Sequence, residues 1–232
     1  MKATHYLFLT SISFSFLLSC NAPDSDKAKT TATKEVAETT PGTKKYTIDT
    51  EASEITWIGT KVSGYHSGPI KIKKGELEVD NGTISGGNFI MDMTTITATG
   101  PKKVDVAISG KLTGHLKSAD FFDVEKYPEA TFTITGVRSF TGTVNDADEP
   151  KHEEISKYKV THPTHTVSGN LVIKGISKNI EFPAQLSITD HSLEAIAKFS
   201  IDRTQWNIKY TGKPDDLIRK EIYFGISLKA TK

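Results

Sequence analysis

Seven histidines and one cysteine are the side chains of this 232-residue sequence best suited to metal or nucleophile chemistry. His162-Pro163-Thr164-His165, joined by His152 or His191, is the one grouping with a ligand-like look. Two histidines at that spacing share a face only on a regular helix, and Pro163 prevents one, so no metal site is expected. No nucleophile elbow, His-Glu-x-x-His helix or phosphate-cradling glycine loop accompanies them, and no enzyme is expected. The lone Cys20 can form neither an intramolecular disulfide nor a cysteine-rich zinc site. With 29 Lys plus Arg against 28 Asp plus Glu, the chain also lacks the basic footprint of a nucleic-acid binder.

What must position any functional group is then a core held by apolar burial, and the length fits one substantial domain. Residues 1–19 begin with Lys2 and continue as an apolar stretch too short to span a bilayer, as in a secretory signal. The segment ends in Leu17-Leu18-Ser19-Cys20, which resembles a bacterial lipoprotein signal. That resemblance implies cleavage before Cys20, acylation of its sulfur and new amino terminus, and stable membrane attachment through two or more chains. Cys20 and the polar residues up to 45, rich in Thr and Lys with Val36 as the only sizeable aliphatic residue, read as a flexible tether. The absence of Asp after the cysteine favours the outer membrane of a bacterial envelope, with a periplasmic or surface-facing domain.

From Tyr46 to Lys232 the apolar period becomes two, the mark of half-buried strands. Ile222, Phe224, Ile226 and Leu228 share a face, as do Phe89, Met91 and Met93, and Ala195, Ala197, Phe199 and Ile201. Asp80-Asn81-Gly82 and Thr189-Asp190-His191 read as turns. The best helical candidate is a short one at Ser118-Ala119-Asp120-Phe121-Phe122, capped by Ser118. The expected fold is all-β, with about eight to ten strands and a short helix. Its apolar face is buried in a barrel or two packed sheets, and closure removes exposed edges.

Three segments sharpen this reading: His115-Leu116-Lys117-Ser118-Ala119-Asp120-Phe121-Phe122 continuing to Tyr127-Pro128-Glu129-Ala130-Thr131-Phe132, then Gly169-Asn170-Leu171-Val172-Ile173-Lys174-Gly175, and Phe199-Ser200-Ile201-Asp202-Arg203-Thr204-Gln205-Trp206-Asn207. Together they resemble the YceI-like family, also called the polyisoprenoid-binding lipocalin-like family, across residues 46–228. The resemblance implies an extended lipocalin-like antiparallel β-barrel whose long apolar interior holds a polyisoprenoid or another long-chain lipid, without a cofactor or catalytic centre. It also admits a homodimer. The chain departs from the family in a lengthened, charged hairpin within residues 140–167 and in Asn207, where the family has Gly.

Hiding a hydrocarbon tail calls for ordinary apolar residues, so strand parity selects the candidates for the cavity wall. These are Phe132 and Ile134, Phe199 and Ile201, and Ile222, Phe224 and Ile226. Phe121 and Phe122 either plug one end or touch lipid, and Trp206, with Trp57, flanks the cavity or packs structurally. Arg203 shares the parity of Phe199 and Ile201 and needs a partner if buried, either a carboxylate or a ligand head group. His115 has the same two options. The remaining alternatives are a fully packed barrel serving as an interaction or stress protein, and an enzyme acting on a lipid head group, which requires His115 and Arg203 to converge at a cavity end.

Overall fold

The computed structural model describes residues 27–36, 38, 41–101, 105–143, 158 and 160–232. The expected signal at residues 1–19, Cys20, residues 21–26, and residues 144–157 with His152 lie outside the described residues. The strands are β1 (Lys29–Thr31), β2 (Lys44–Ile48), β3 (Glu54–Lys61), β4 (Gly64–Asp80), β5 (Thr83–Asp92), β6 (Glu129–Ser139), β7 (His165–Ile173), β8 (Ile176–Ile188), β9 (Ser192–Asp202), β10 (Gly212–Lys213) and β11 (Asp216–Thr231), with one α-helix, α1 (Val106–Lys117).

Alternation along these runs sends one set of side chains inward, and antiparallel pairing closes the sheet. β3, β4, β5, β6, β7, β8, β9 and β11 form a ring, with β11 paired back to β3. β2 continues the course of β3, lying between the far half of β4 and the end of β11. Two tight hairpins fix register. Asn81 and Gly82, and Lys174 and Gly175, all have positive φ, as a two-residue turn matched to strand twist requires.

The barrel has two differently built ends. At the helix end Leu116, Phe121, Phe122, Val124, Trp206 and Ile208 are buried together. At the hairpin end Tyr46 of β2 donates its hydroxyl to the Thr189 carbonyl at 2.8 Å, drawing the β8–β9 turn inward. Lys44 pairs with Asp190 at 3.1 Å beside it.

Two expectations are corrected. The helix precedes the Ser118–Phe122 stretch: Asp105 caps α1 by accepting from the Ala107 and Ile108 N–H groups, and Ser118 sits at its C-terminal end, with its hydroxyl on the His115 carbonyl. Only Leu116 of α1 is buried, so the helix has almost no apolar stripe to be read. The expected tether is also partly docked. Lys29, Thr30 and Thr31 pair with Glu181, Ile180 and Asn179 of β8, and Lys27 bridges to Ser200 of β9. Main-chain hydrogen bonds to an open strand edge hold it, and these need no apolar residues.

Candidate functional site

The inward faces enclose an apolar cavity running along the barrel. Leu77, Ile84, Leu186 and Leu228 line it toward the hairpin end, and Met93, Phe122 and Ile173 toward the helix end. Between them five phenylalanines form a belt across five strands. Ring centroids are 5.5 Å apart for Phe89 and Phe132, 5.8 Å for Phe132 and Phe182, 4.1 Å for Phe182 and Phe199, and 5.9 Å for Phe199 and Phe224. β7 contributes Gly169 instead of a ring, and a Cβ there would stand 2.2 Å from the Phe132 ring. Glycine at 169 is thus what lets the belt close.

Every residue on this wall is apolar, so the site can exclude water from hydrocarbon but cannot donate a proton or bind charge. The space open to the centre of a water-sized sphere is about 80 Å³. One water needs roughly 10 to 15 Å³ on that measure, so there is room for a handful of small groups. A long chain enters only if the belt rearranges.

Of the twelve candidate ligand contacts, six are on the wall: Phe122, Phe132, Ile134, Phe199, Phe224 and Ile226. The other six are elsewhere. Ile201 and Ile222 are paired neighbours buried at the helix end, beneath the plug. Trp206 is wholly buried, with its indole N–H on the Leu171 carbonyl at 3.1 Å, and belongs to that plug. Phe121 packs against His115 and Tyr210 with centroids 4.9 and 5.4 Å away. His115 stacks edgewise on Phe121 and Tyr210, and its Nε2 lies 3.0 Å from Asp120.

Arg203 is 2% exposed, and its guanidinium donates to three carbonyls: Ile208 at 2.6 Å, Arg219 at 3.1 Å and Ile218 at 3.3 Å. It clamps the turn after β9 to the start of β11, which replaces both the expected carboxylate pairing and the head-group contact. Burial pushes its pKa down, with Asp202 and Glu221 acting the other way. Neither His115 nor Arg203 is on the cavity wall, so the wall itself does not bring them together.

Phe89 and Phe182 are the two belt rings outside the sequence candidates, and much of the remaining wall, such as Leu77, Leu186 and Leu228, lies outside them too; the alternation of Phe89, Met91 and Met93 and the Phe182-Pro183 pair carry the two rings. Among the described residues no group of three or more His, Cys, Asp or Glu is placed to hold a metal. His162 and His165 each lie beside the neighbouring threonine hydroxyl, at 3.0 and 2.8 Å.

The ring of hydrogen bonds has two gaps. β5 and β6 are paired only from Asn88 with Thr133 to Asp92 with Glu129, leaving Thr83 to Gly87 and Ile134 to Ser139 unpaired with each other. β8 and β9 are paired only from Ile188 with Leu193 to Ala184 with Ala197, and β1 fills the gap toward the helix end.

Comparison with known proteins places this architecture. The model of the YceI-like domain matches residues 46–230. The crystal structure of Burkholderia cenocepacia BcnA superposes with a TM-score of 0.58 at 17% identity, covering 79% of this chain and 99% of that one. A polyisoprenoid binding domain from Saccharophagus degradans, implicated in plant cell wall breakdown, gives 0.52 at 12% identity over 80% of this chain and 97% of that one. A UPF0312 protein of Pseudomonas putida strain W619 is 37% identical over 70 residues, which is 30% of this chain and 26% of its own length. A UPF0312 protein of Pectobacterium atrosepticum is 32% identical over 72 residues, 27% of its length, so the aligned stretch spans about a quarter of each relative.

Proposed function

The chain belongs to the YceI-like family, and on that premise we propose that it sequesters or carries a polyisoprenoid or similar long-chain amphiphile in its barrel. The observation that carries this reading is the continuous apolar wall from hairpin end to helix end, belted by five phenylalanines. Side chains replace water around the tail, at about 25 cal/mol for each Å² of apolar surface removed from water. The head group stays outside the wall, because nothing on it can take a polar atom. The polyisoprenoid-binding domain of Saccharophagus degradans, alike in fold, supports this class of ligand. The protein acts in a bacterial envelope, held through an acylated Cys20 to the outer membrane, either as a monomer or as a homodimer.

Native mass spectrometry with lipid extraction, on protein purified from a host of its own kind, tests the reading. A stoichiometric long-chain lipid is the expected result. Protein that arrives empty, and stays empty when offered quinones, prenyl phosphates and fatty amides, refutes it. The small cavity favours one second reading, a packed barrel that acts through its surface, and that outcome would support it.

A further inference from the structure

Trp206 and its neighbours plug the helix end, the Tyr46 hydroxyl ties the β8–β9 turn to β2 at the hairpin end, and the belt leaves little space, so a long chain cannot simply thread the barrel lengthwise. We propose that residues 27–34 form a removable stave, and that the seam it closes between β8 and β9 is the port through which hydrocarbon enters from the anchoring bilayer. This rests on the carrier reading above and adds the route and the facing surface.

The seam is a real divergence of the wall. β8 and β9 part beyond Ala184 and Ala197, and β8 pairs with β1 at Asn179, Ile180 and Glu181 instead. The Ala28 N–H donates to the Ser200 carbonyl of β9 at 2.8 Å, so the stave bonds to both lips. Just past the split, two residues along each strand, stand Phe182 and Phe199, the closest ring pair of the cavity belt. Lifting the stave uncovers the lining itself.

The stave is held by contacts that water can replace. Ala28 is its one apolar side chain in the core. The Asn170 carboxamide accepts from the Lys34 N–H at 3.1 Å and donates to the Lys34 carbonyl at 2.7 Å. The Thr33 hydroxyl donates to the Ser177 carbonyl at 3.1 Å, and Lys34 Nζ reaches the Ser168 hydroxyl at 3.3 Å. Asn179 braces the latch by donating to Asn170 Oδ1 at 3.1 Å and accepting from Ser168 at 2.9 Å. Reading a main chain through its N–H and C=O makes a latch that engages and releases without exposing a large apolar side chain, unlike any strand of the ring.

The occupant of the outer side is a lipid surface, because the chain leads there. Cys20 stands seven residues before Lys27, which limits the reach to about 24 Å of extended chain. A tether free to Tyr46 would reach more than three times as far. Docking the stave therefore holds the seam close to the bilayer. Among the described residues five exposed large apolar side chains, Val62, Tyr210 and Leu217 with Val106 and Ile108 of α1, lie at the helix end, toward which the seam opens, and a sixth, Val36, follows the stave.

The port is tested in the full chain carrying Cys20→Ser, with Lys29→Cys and Glu181→Cys placed opposite each other across β1 and β8. A pyrene-labelled hexadecanoic acid is the probe, transferred from phosphatidylcholine vesicles. Oxidising the pair is expected to slow uptake at least tenfold, with recovery on reduction. Asn170→Ala, which releases the latch, is expected to speed uptake several-fold while leaving the amount bound unchanged. Equal rates for oxidised and reduced protein, or no acceleration by Asn170→Ala, overturn the port and move entry to the gap between β5 and β6. No uptake by any form, the parent included, overturns the carrier reading and the port with it.

Discussion

Arg203 is the position where a structural and a ligand-binding role predict opposite outcomes. Its three donors satisfy the carbonyls of Ile208, Ile218 and Arg219 within a site that is 2% exposed. Arg203→Met keeps most of the side-chain volume and removes every donor. Each bond contributes about 1 kcal/mol net, and somewhat more when the donor is charged, so the three together are worth about 3 to 5 kcal/mol. Relief of guanidinium desolvation offsets part of this, and we expect a net loss of about 3 kcal/mol. With a urea slope of about 2 kcal/mol/M, the unfolding midpoint falls by about 1.5 M. The assay is urea unfolding followed by tryptophan fluorescence, since Trp206 lies in the adjoining plug, paired with lipid occupancy of the folded fraction by native mass spectrometry. Arg203→Lys is expected to recover part of the stability, having one charged head for three separated carbonyls. A midpoint shift below about 0.5 M together with lost occupancy would refute the clamp and return Arg203 to the ligand.

Gly169→Ala places a methyl against the Phe132 ring, and overpacking of this kind costs about 1 to 3 kcal/mol, read as a lower thermal midpoint with reduced lipid occupancy. Phe182→Ala breaks the closest pair of the belt and is expected to destabilise the empty protein by about 3 to 5 kcal/mol, with much of the loss restored when bound lipid fills the space; equal losses empty and loaded would contradict the cavity wall. Asn207 has φ 58° at the end of the turn after β9; Asn207→Val is expected to cost about 1 to 2 kcal/mol in urea unfolding and Asn207→Gly nearly nothing. Hydrogen bonds from Lys61 and the Ser63 N–H hold the Asp216 carboxyl at about 2, below its ordinary 3.8. A depressed carboxyl adds stability above its unfolded pKa that is lost as pH falls through the folded one. The thermal midpoint gap between the parent and Asp216→Asn is therefore expected to shrink between pH 4 and pH 2, and a constant gap would count against the pairing.

Strands were legible because a half-buried sheet writes period two into the chain, as Ile222, Phe224, Ile226 and Leu228 do in β11. Parity says which face a side chain occupies, yet it does not say how far along the barrel it lies. Ile201 and Ile222 obey the same alternation as Phe199 and Phe224 and still fall beneath the Trp206 plug. Arg203 is buried on the parity of Phe199 and Ile201, but its partners are main-chain carbonyls, which no side-chain pattern advertises. The docked segment at residues 27–34 is illegible for a related reason: a strand stabilised by backbone pairing and an amide latch carries no apolar signature. Asn170 was visible within the Gly169-Asn170-Leu171 segment, but its role needed the position of Lys34. For α1, the capping Asp105 was available, while exposed Val106 and Ile108, with Gly110 and Gly114, obscured the amphipathic period.

A wall without a single polar side chain measures a guest by girth and length and is blind to its functional groups. Each additional buried methylene adds about 0.8 kcal/mol, and a tenfold preference needs about 1.4 kcal/mol. Two guests that differ by one methylene are hardly told apart, whereas two that differ by a whole isoprene unit are separated by more than a hundredfold once the belt has opened. The five rings form a caliper on the girth of a guest, and the chemistry at its far end goes unread.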